Sequence, residues 1–211
     1  MAERRFVGHL DAATRIYQTS ADAQLVRACA SLATYRDYLA KAHGFERGIE
    51  RAIGGVGVDR EGLVWAKSDP IVADLVALGM RPQEIATLPV CEVGEPLVRL
   101  GQMVGWLFVS VRAAYARGLA LPELERAQPF ARKNAASYLE LAASKRQSDR
   151  LAEVIEDVTR DHAIGAAVIA AAGNAFRMHR GWFLAPLARR SPTASPTGVH
   201  PIVPSGTERT S

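Results

Sequence analysis

Apolar residues recur every three or four positions along most of this chain, which is the spacing of amphipathic α-helices. The pattern predicts a first helix over residues 7–30 and a second over 32–53, with Ser31 as the N-cap of the second. The apolar residues of the second helix fall on one stripe: Leu32, Tyr35, Leu39, Ala42, Phe45, Ile49 and Ile53. The glycines that follow, at positions 54, 55 and 57, predict a loop.

Proline and glycine mark the elements in the middle of the chain. Asp69 and Pro70 are typical of a helix start and Gly79 of a helix end, so a third helix is predicted between them. The stretch 82–96 is predicted to be a connection. The most apolar segment, 97–117, is predicted to be a core helix.

The second half of the chain is predicted to continue as helices. Pro122 and Pro129 are expected to bound a short piece, and a further helix is expected over 132–145. A polar break is predicted at 146–148, followed by one long helix over 149–176 whose N-cap is its first residue, an aspartate.

Neither β-alternation nor an internal repeat is apparent, so the fold class is predicted to be all-α. The folded part is expected to be one helical domain over residues 1–185. From residue 186 onward the chain is rich in Ser, Thr, Pro and Gly, with few apolar residues to offset the entropy of ordering. A disordered C-terminal tail is therefore predicted over 186–211.

Composition excludes several classes of protein. The 211 residues carry a net charge of +4, but only four of the 26 basic residues are lysines, and acidic residues are interleaved with the arginines. No basic stripe with interleaved aromatics is present, so nucleic-acid binding is not expected. No apolar run is long enough to span a membrane, and Cys29 and Cys91 cannot build a disulfide framework. These features predict a soluble cytoplasmic protein.

The residues that often carry chemistry form no self-evident active site. The five histidines lack the i, i+4 spacing of a helical metal pair: His9, His43, His162, His179 and His200. The glycines after residue 53 lack the spacing of a phosphate-binding loop, and neither cysteine lies in a nucleophile motif. No metal site is therefore predicted.

Five short segments together resemble the heme oxygenase family, and most closely its bacterial, phytochrome-associated, biliverdin-producing branch. They cover roughly residues 7–183 in the family's order: Leu10-Asp-Ala-Ala-Thr14; Tyr35-Arg-Asp-Tyr38-Leu39 with Gly44-Phe45 and Glu50; Asp69-Pro70, Asp74-Leu75, Leu78-Gly79 and Leu88-Pro89; Gly105-Trp106-Leu107-Phe108-Val109; and Ala170-Ala171 with Phe176 and Trp182-Phe183. The resemblance implies a single-domain helical bundle that opens heme to biliverdin, carbon monoxide and iron.

The position that the family uses for its axial histidine, four residues after Thr14, is Gln18 in this chain. A carboxamide is a poor ligand for heme iron. His9 lies nine residues earlier, on the opposite face of the same helix, whereas Tyr17 is adjacent and could ligate ferric iron if the helix rotated. His43, His162 and His179 lie on other predicted helices, so their spacing does not exclude them.

The resemblance also shows departures on the distal helix, where the family's Glu-Gly-Ser-x-x-Gly stretch reads Val-Arg-Ala-Ala-Tyr-Ala. Arg112 and Ala116 occupy the two glycine positions, and Ala113 lies between them. Asp11 stands where some members of the family have a lysine near a heme propionate. Arg112 could bind an acidic ligand, or it could pair with Glu140 or Asp11 and fill the vacated space.

The sequence therefore predicts a divergent heme oxygenase-like protein with little or no heme-degrading activity, acting as a ligand-binding or regulatory module. Its expected ligand is a small molecule or a tetrapyrrole, heme included as a candidate cofactor, or else a protein partner. The expected pocket residues are Thr14, Tyr17, Gln18, Gly105, Phe108, Arg112, Ala113, Ala116 and Phe176. The alternative is a heme oxygenase with a non-standard axial ligand. A third possibility is a function like that of relatives with a similar helical fold, the thiaminase-like enzymes and quinone-cofactor synthases. Those enzymes use clusters of acid, tyrosine or histidine side chains around an organic substrate. No such cluster can be assembled in this chain from spacing alone.

Overall fold

The computed structural model describes residues 5–54, 68–94, 96–141 and 145–187, without the side chains of 112–117, 141 and 145–148. These residues form helices and no strand, which confirms the all-α prediction. The helices are α1 (Arg5–Ala28), α2 (Leu32–Ile53), α3 (Ser68–Ala77), α4 (Pro82–Ala86), α5 (Leu100–Ala127), α6 (Pro129–Asn134), α7 (Ser137–Leu141), α8 (Lys145–Val158) and α9 (His162–Leu184). Residues 188–211 of the predicted tail lie outside the described part.

The predicted boundaries of α2 and α3 are close to the observed ones because their end signals are local. The Ser31 side chain accepts from the Thr34 amide and the Thr34 side chain accepts from the Ser31 amide, which forms a capping box at the start of α2. Gly79 follows α3 with a φ of +84°, a left-handed conformation that favours glycine. Residues 82–96 were predicted as a connection, and they include the short helix α4.

The prediction that the core helix ends before Pro122 is wrong, because α5 continues to Ala127 with Pro122 inside it. A proline ring within a helix crowds the carbonyl four residues earlier, which here belongs to Gly118. Gly118 is exposed and has open space where a Cβ would lie. The chain can therefore adjust at this turn without losing a packing contact.

The predicted helix over 132–145 is also wrong, because the chain divides there into α6 and α7. The Asp74 carboxylate on α3 accepts from the backbone amides of Ser137, at 3.0 Å, and Tyr138, at 2.9 Å. Those amides begin α7 and would otherwise have continued the preceding helix. The division is thus made by a residue 63 positions away in the sequence.

The long helix predicted over 149–176 is instead two helices, and the predicted break at 146–148 is not observed since α8 begins at Lys145. The division lies between α8 and α9, where Asp161 accepts from the amides of Ala163 and Ile164. Asp161 is therefore the N-cap of α9. Asp149, which was predicted to be the N-cap, lies inside α8.

The most extensive helix contact joins α5 to α9, and α1 lies against both. Small residues allow the close approach: a Cβ on Gly105 would lie 2.7 Å from the Ala171 Cβ and 2.7 Å from the Val168 carbonyl oxygen. One apolar cluster fills this region, and a second is built mainly from α2, α3, α7 and the C-terminal part of α5. Helix α5 therefore belongs to both clusters.

None of the helices in the described part of the chain is both long enough and apolar enough to cross a membrane.

Candidate functional site

The face of α1 that carries the predicted axial position lies in the core, against α5 and α9. Thr14 and Gln18 are both buried there. The Gln18 amide nitrogen donates to the Thr14 hydroxyl at 2.8 Å, and that hydroxyl donates to the Leu10 carbonyl at 2.7 Å. A ladder of side-chain bonds along one helix thus satisfies polar groups that would otherwise be costly to bury.

Three of the predicted pocket residues meet as aromatic rings between α1, α5 and α9. The rings of Tyr17 and Phe176 are nearly parallel, at 14°, with centroids 6.1 Å apart. Phe108 meets Phe176 edge to face at 6.4 Å. Tyr17 is half-buried and the two phenylalanines are buried, so Tyr17 lies on the solvent side of the group.

The other predicted pocket residues do not all join this group. Gly105 lies against the backbone of α9, where it permits the close approach of the two helices. The side chains of Arg112, Ala113 and Ala116 lie outside the described residues. Glu140, one of the two acids expected to pair with Arg112, accepts from Arg132 at 2.5 Å.

The described histidines lie in separate places. His9 and His162 are exposed, His43 is buried on α2, and His179 is buried on α9; His200 lies outside the described residues. Within the described part of the chain, no three metal-ligating side chains come together.

His179 lies among aromatic rings. It stacks on Phe183 with centroids 4.3 Å apart and meets Phe45 edge to face at 4.9 Å. The end of α9 is held to α2 nearby, since the Lys41 ammonium donates to the Phe183 carbonyl at 2.7 Å and the Trp182 indole donates to the Lys41 carbonyl at 2.8 Å. The surroundings of His179 are therefore those of a packed core residue between α2 and α9.

The structure reveals a buried polar cluster that the sequence did not indicate: Glu46 on α2, Ser110 on α5 and Tyr138 on α7. The Ser110 hydroxyl lies 2.9 and 2.7 Å from the two Glu46 carboxylate oxygens, and the Tyr138 hydroxyl donates to Glu46 Oε1 at 3.1 Å. All three side chains are buried, with Glu46 only 1% exposed. Ligand sites in helical bundles are commonly built from such side chains on facing helices.

Asp74 positions one member of the Glu46–Ser110–Tyr138 cluster from a fourth element. Its two carboxylate oxygens bind the amides of residues 137 and 138, which fixes the helix turn that carries the Tyr138 ring. Burial raises the pKa of Asp74, while the two amide bonds oppose that rise. The available signal was an aspartate with apolar residues on both sides of it in α3, where a buried charge requires partners.

The two cysteines offer no reactive thiolate. Both are buried and free, and burial raises the pKa of each thiol to about 11. At neutral pH they are therefore protonated and behave as small apolar side chains.

Comparison of the whole chain with protein-family models, with curated proteins and with solved structures finds no match.

Proposed function

We propose that this chain is a divergent heme oxygenase-like protein that acts as a ligand-binding or regulatory module and not as a heme-degrading enzyme. The proposal rests on the resemblance of its segments to that family. The observation that carries it is the state of Gln18: the residue at the family's axial position is buried and hydrogen-bonded along its own helix.

The neighbouring contacts support a non-catalytic role. Tyr17 and Phe176 stack across the face on which the family holds heme, and Gly105 approaches α9 and not an open space. A flat macrocycle on this face would have to separate contacts that are close-packed in the present arrangement. A smaller ligand, or a protein partner on the half-buried Tyr17 side, requires less rearrangement.

A hemin titration tests the proposal directly. We expect the spectrum of free hemin to persist, without a saturable shift of the Soret band, when the purified chain is titrated with hemin. The double variant Gln18→His with Arg112→Gly is expected to bind hemin stoichiometrically, since it supplies an imidazole ligand and removes a large side chain.

The matched control is Gln18→Ala with Arg112→Gly, which makes the same space but supplies no ligand. We expect it to bind hemin far more weakly than the histidine variant. Stoichiometric hemin binding by the unaltered chain, with biliverdin formed under ascorbate, would refute the proposal.

The second candidate is a heme oxygenase with a non-standard axial ligand. The observation that favours it is the location of Tyr17, which directly precedes Gln18 on α1 and is half-buried. A tyrosinate can ligate ferric heme. This candidate predicts hemin binding by the unaltered chain that is lost in Tyr17→Phe and kept in Gln18→Ala, whereas equal binding by both variants would exclude it.

A further inference from the structure

The C-terminal end of α9 is attached to α2 by a single lysine side chain. The Lys41 ammonium donates to the Phe183 carbonyl at 2.7 Å and to the Ala185 carbonyl at 2.5 Å. The last carbonyls of a helix have no amide partner within the helix, and a cation there also faces the negative end of the helix dipole. Lys41 therefore caps α9 from another helix.

Helix α9 returns a bond to the same residue. The Trp182 indole N–H donates to the Lys41 backbone carbonyl at 2.8 Å. Gly44 leaves room for this indole, since a Cβ on Gly44 would lie 2.6 Å from a ring carbon of Trp182. The two helices thus hold each other through side chains that bind each other's backbone, and Lys41 takes part in every one of these bonds.

The ring of Phe183 depends on this attachment for its position. It stacks on His179 with centroids 4.3 Å apart and meets the rings of Tyr38 and Phe45 at 5.1 and 6.2 Å. Phe183 is half-buried and packs against both apolar clusters, and Leu187 beyond it packs against the second. Loss of the Lys41 bonds would therefore loosen the last turn of α9 and the contact that it makes with both clusters.

The amine of Lys41 is near solvent and chemically suited to modification. Lys41 is half-buried, and Ala185, whose carbonyl it binds, is exposed. Burial lowers the pKa of Lys41, and the nearby Asp37 carboxylate partly opposes that change. A lowered pKa increases the fraction of uncharged amine, which is the nucleophilic form of lysine.

We propose that Lys41 is an acylation-sensitive latch, and that acyl transfer to its Nζ atom releases the end of α9 from α2. The amine nitrogen attacks the carbonyl carbon of an acyl phosphate. The N–C bond forms while the C–O bond to phosphate breaks, phosphate leaves with the electron pair, and the amine proton passes to water. The product amide has no charge and one N–H in place of three, so it cannot hold both carbonyls.

This latch goes beyond the proposed heme oxygenase-like function, because none of the predicted pocket residues takes part in it. The first test treats the folded full chain with acetyl phosphate and maps the acetylated lysines by mass spectrometry. We expect Lys41 to be acetylated. Lys133, which is exposed on α6, is the matched reference for an accessible lysine.

The second test measures amide hydrogen exchange in the last turn of α9, with the first turns of α5 as the internal reference. Nε-acetyllysine introduced at position 41, and the variant Lys41→Gln, are each expected to speed exchange in that turn about tenfold or more. Lys41→Arg keeps the charge and several donors, so it should exchange as the unaltered chain does. Lys133→Gln is the control for loss of a lysine charge elsewhere.

Three results would overturn the proposal. The first is a Lys41 that stays unmodified while Lys133 is acetylated. The second is unchanged exchange at the end of α9 after acetylation of Lys41 in the folded chain, a measurement that stays available if Lys41→Gln does not fold. The third is exchange that Lys41→Arg speeds as much as Lys41→Gln does, which would show that the charge does not hold the helix end.

Discussion

Helix α5 presents two very different faces to the rest of the molecule. Toward α1 and α9 it presents Gly105 and Phe108, which pack against small and aromatic side chains. Toward α2 and α7 it presents Ser110, whose hydroxyl binds the buried carboxylate of Glu46. The sequence directed attention to the first face, whereas the second holds the polar groups that converge from several helices.

The two faces satisfy their buried polar groups in different ways. On α1, Gln18 and Thr14 bond to positions four residues earlier on the same helix. In the Glu46–Ser110–Tyr138 cluster, the bonded positions are 64 and 92 residues apart. The first arrangement forms wherever the helix forms, while the second requires that three helices be placed correctly. We therefore expect the second to be more sensitive to mutation.

The largest effect is expected at Glu46. Glu46→Ala should lower the free energy of unfolding by about 3–4 kcal/mol, because it leaves a cavity and two buried hydroxyls without their acceptor. Glu46→Gln keeps the shape and one acceptor oxygen and should cost about 1–2 kcal/mol. Urea denaturation measures both. If both variants lose the same small amount of unfolding free energy, the cluster contributes little to stability.

The next largest effect is expected on the opposite face of α5. Gly105→Ala should destabilise by about 2–3 kcal/mol, since its Cβ would meet the Val168 carbonyl and Ala171 of α9. The control is Gly118→Ala on the same helix, where a Cβ meets open space and alanine should stabilise by up to about 1 kcal/mol. Thermal unfolding of the two variants separates them. If Gly105→Ala is tolerated as well as the control, α5 and α9 are further apart than described.

A smaller effect is expected at Thr14, within the local ladder on α1. Thr14→Val keeps the shape but removes the acceptor of the Gln18 amide, and should lower the free energy of unfolding by about 1 kcal/mol, measured by urea denaturation.

The corresponding test of the Glu46–Ser110–Tyr138 cluster combines Ser110→Ala with Tyr138→Phe. Their effects on the free energy of unfolding should couple by about 1 kcal/mol or more in a double-mutant cycle, because both hydroxyls share Glu46. Full additivity of those two changes would contradict a common network.

The smallest effect on the free energy of unfolding is expected at His43, which lies one turn before Glu46 on α2. The pKa of His43 in the folded chain is lowered, so the unfolded chain binds more protons between that value and the ordinary pKa of about 6.5. The contribution of His43 is therefore complete above about pH 6.5 and is lost as the pH falls toward the lowered folded pKa. Urea denaturation at several pH values should show this dependence of the free energy of unfolding on pH, and His43→Gln should flatten it. An unchanged slope in the variant would assign the dependence to other groups.

Local signals predicted α2 and α3 well, since Ser31 and Gly79 act on residues within one turn. One error arose where a distant residue decides a helix start, as Asp74 does for α7, whereas the missed division before α9 is made by the local cap Asp161. The pocket at Tyr17 and Phe176 stays a prediction; the structure shows that their two rings are in contact, and the role of Gly105 in helix packing was not foreseen. The Glu46–Ser110–Tyr138 cluster was missed entirely, because no motif spacing links its members.

By itself, the sequence determined the helical class and the early helix boundaries, because periodicity and residue type are local properties of the chain. The tertiary structure alone decided which polar groups meet. It joined Glu46 to two distant hydroxyls and left His43 Nδ1 buried without a partner among the described residues. The physical reason is that burial and hydrogen-bond geometry depend on how helices pack, and this packing brings together residues far apart in sequence.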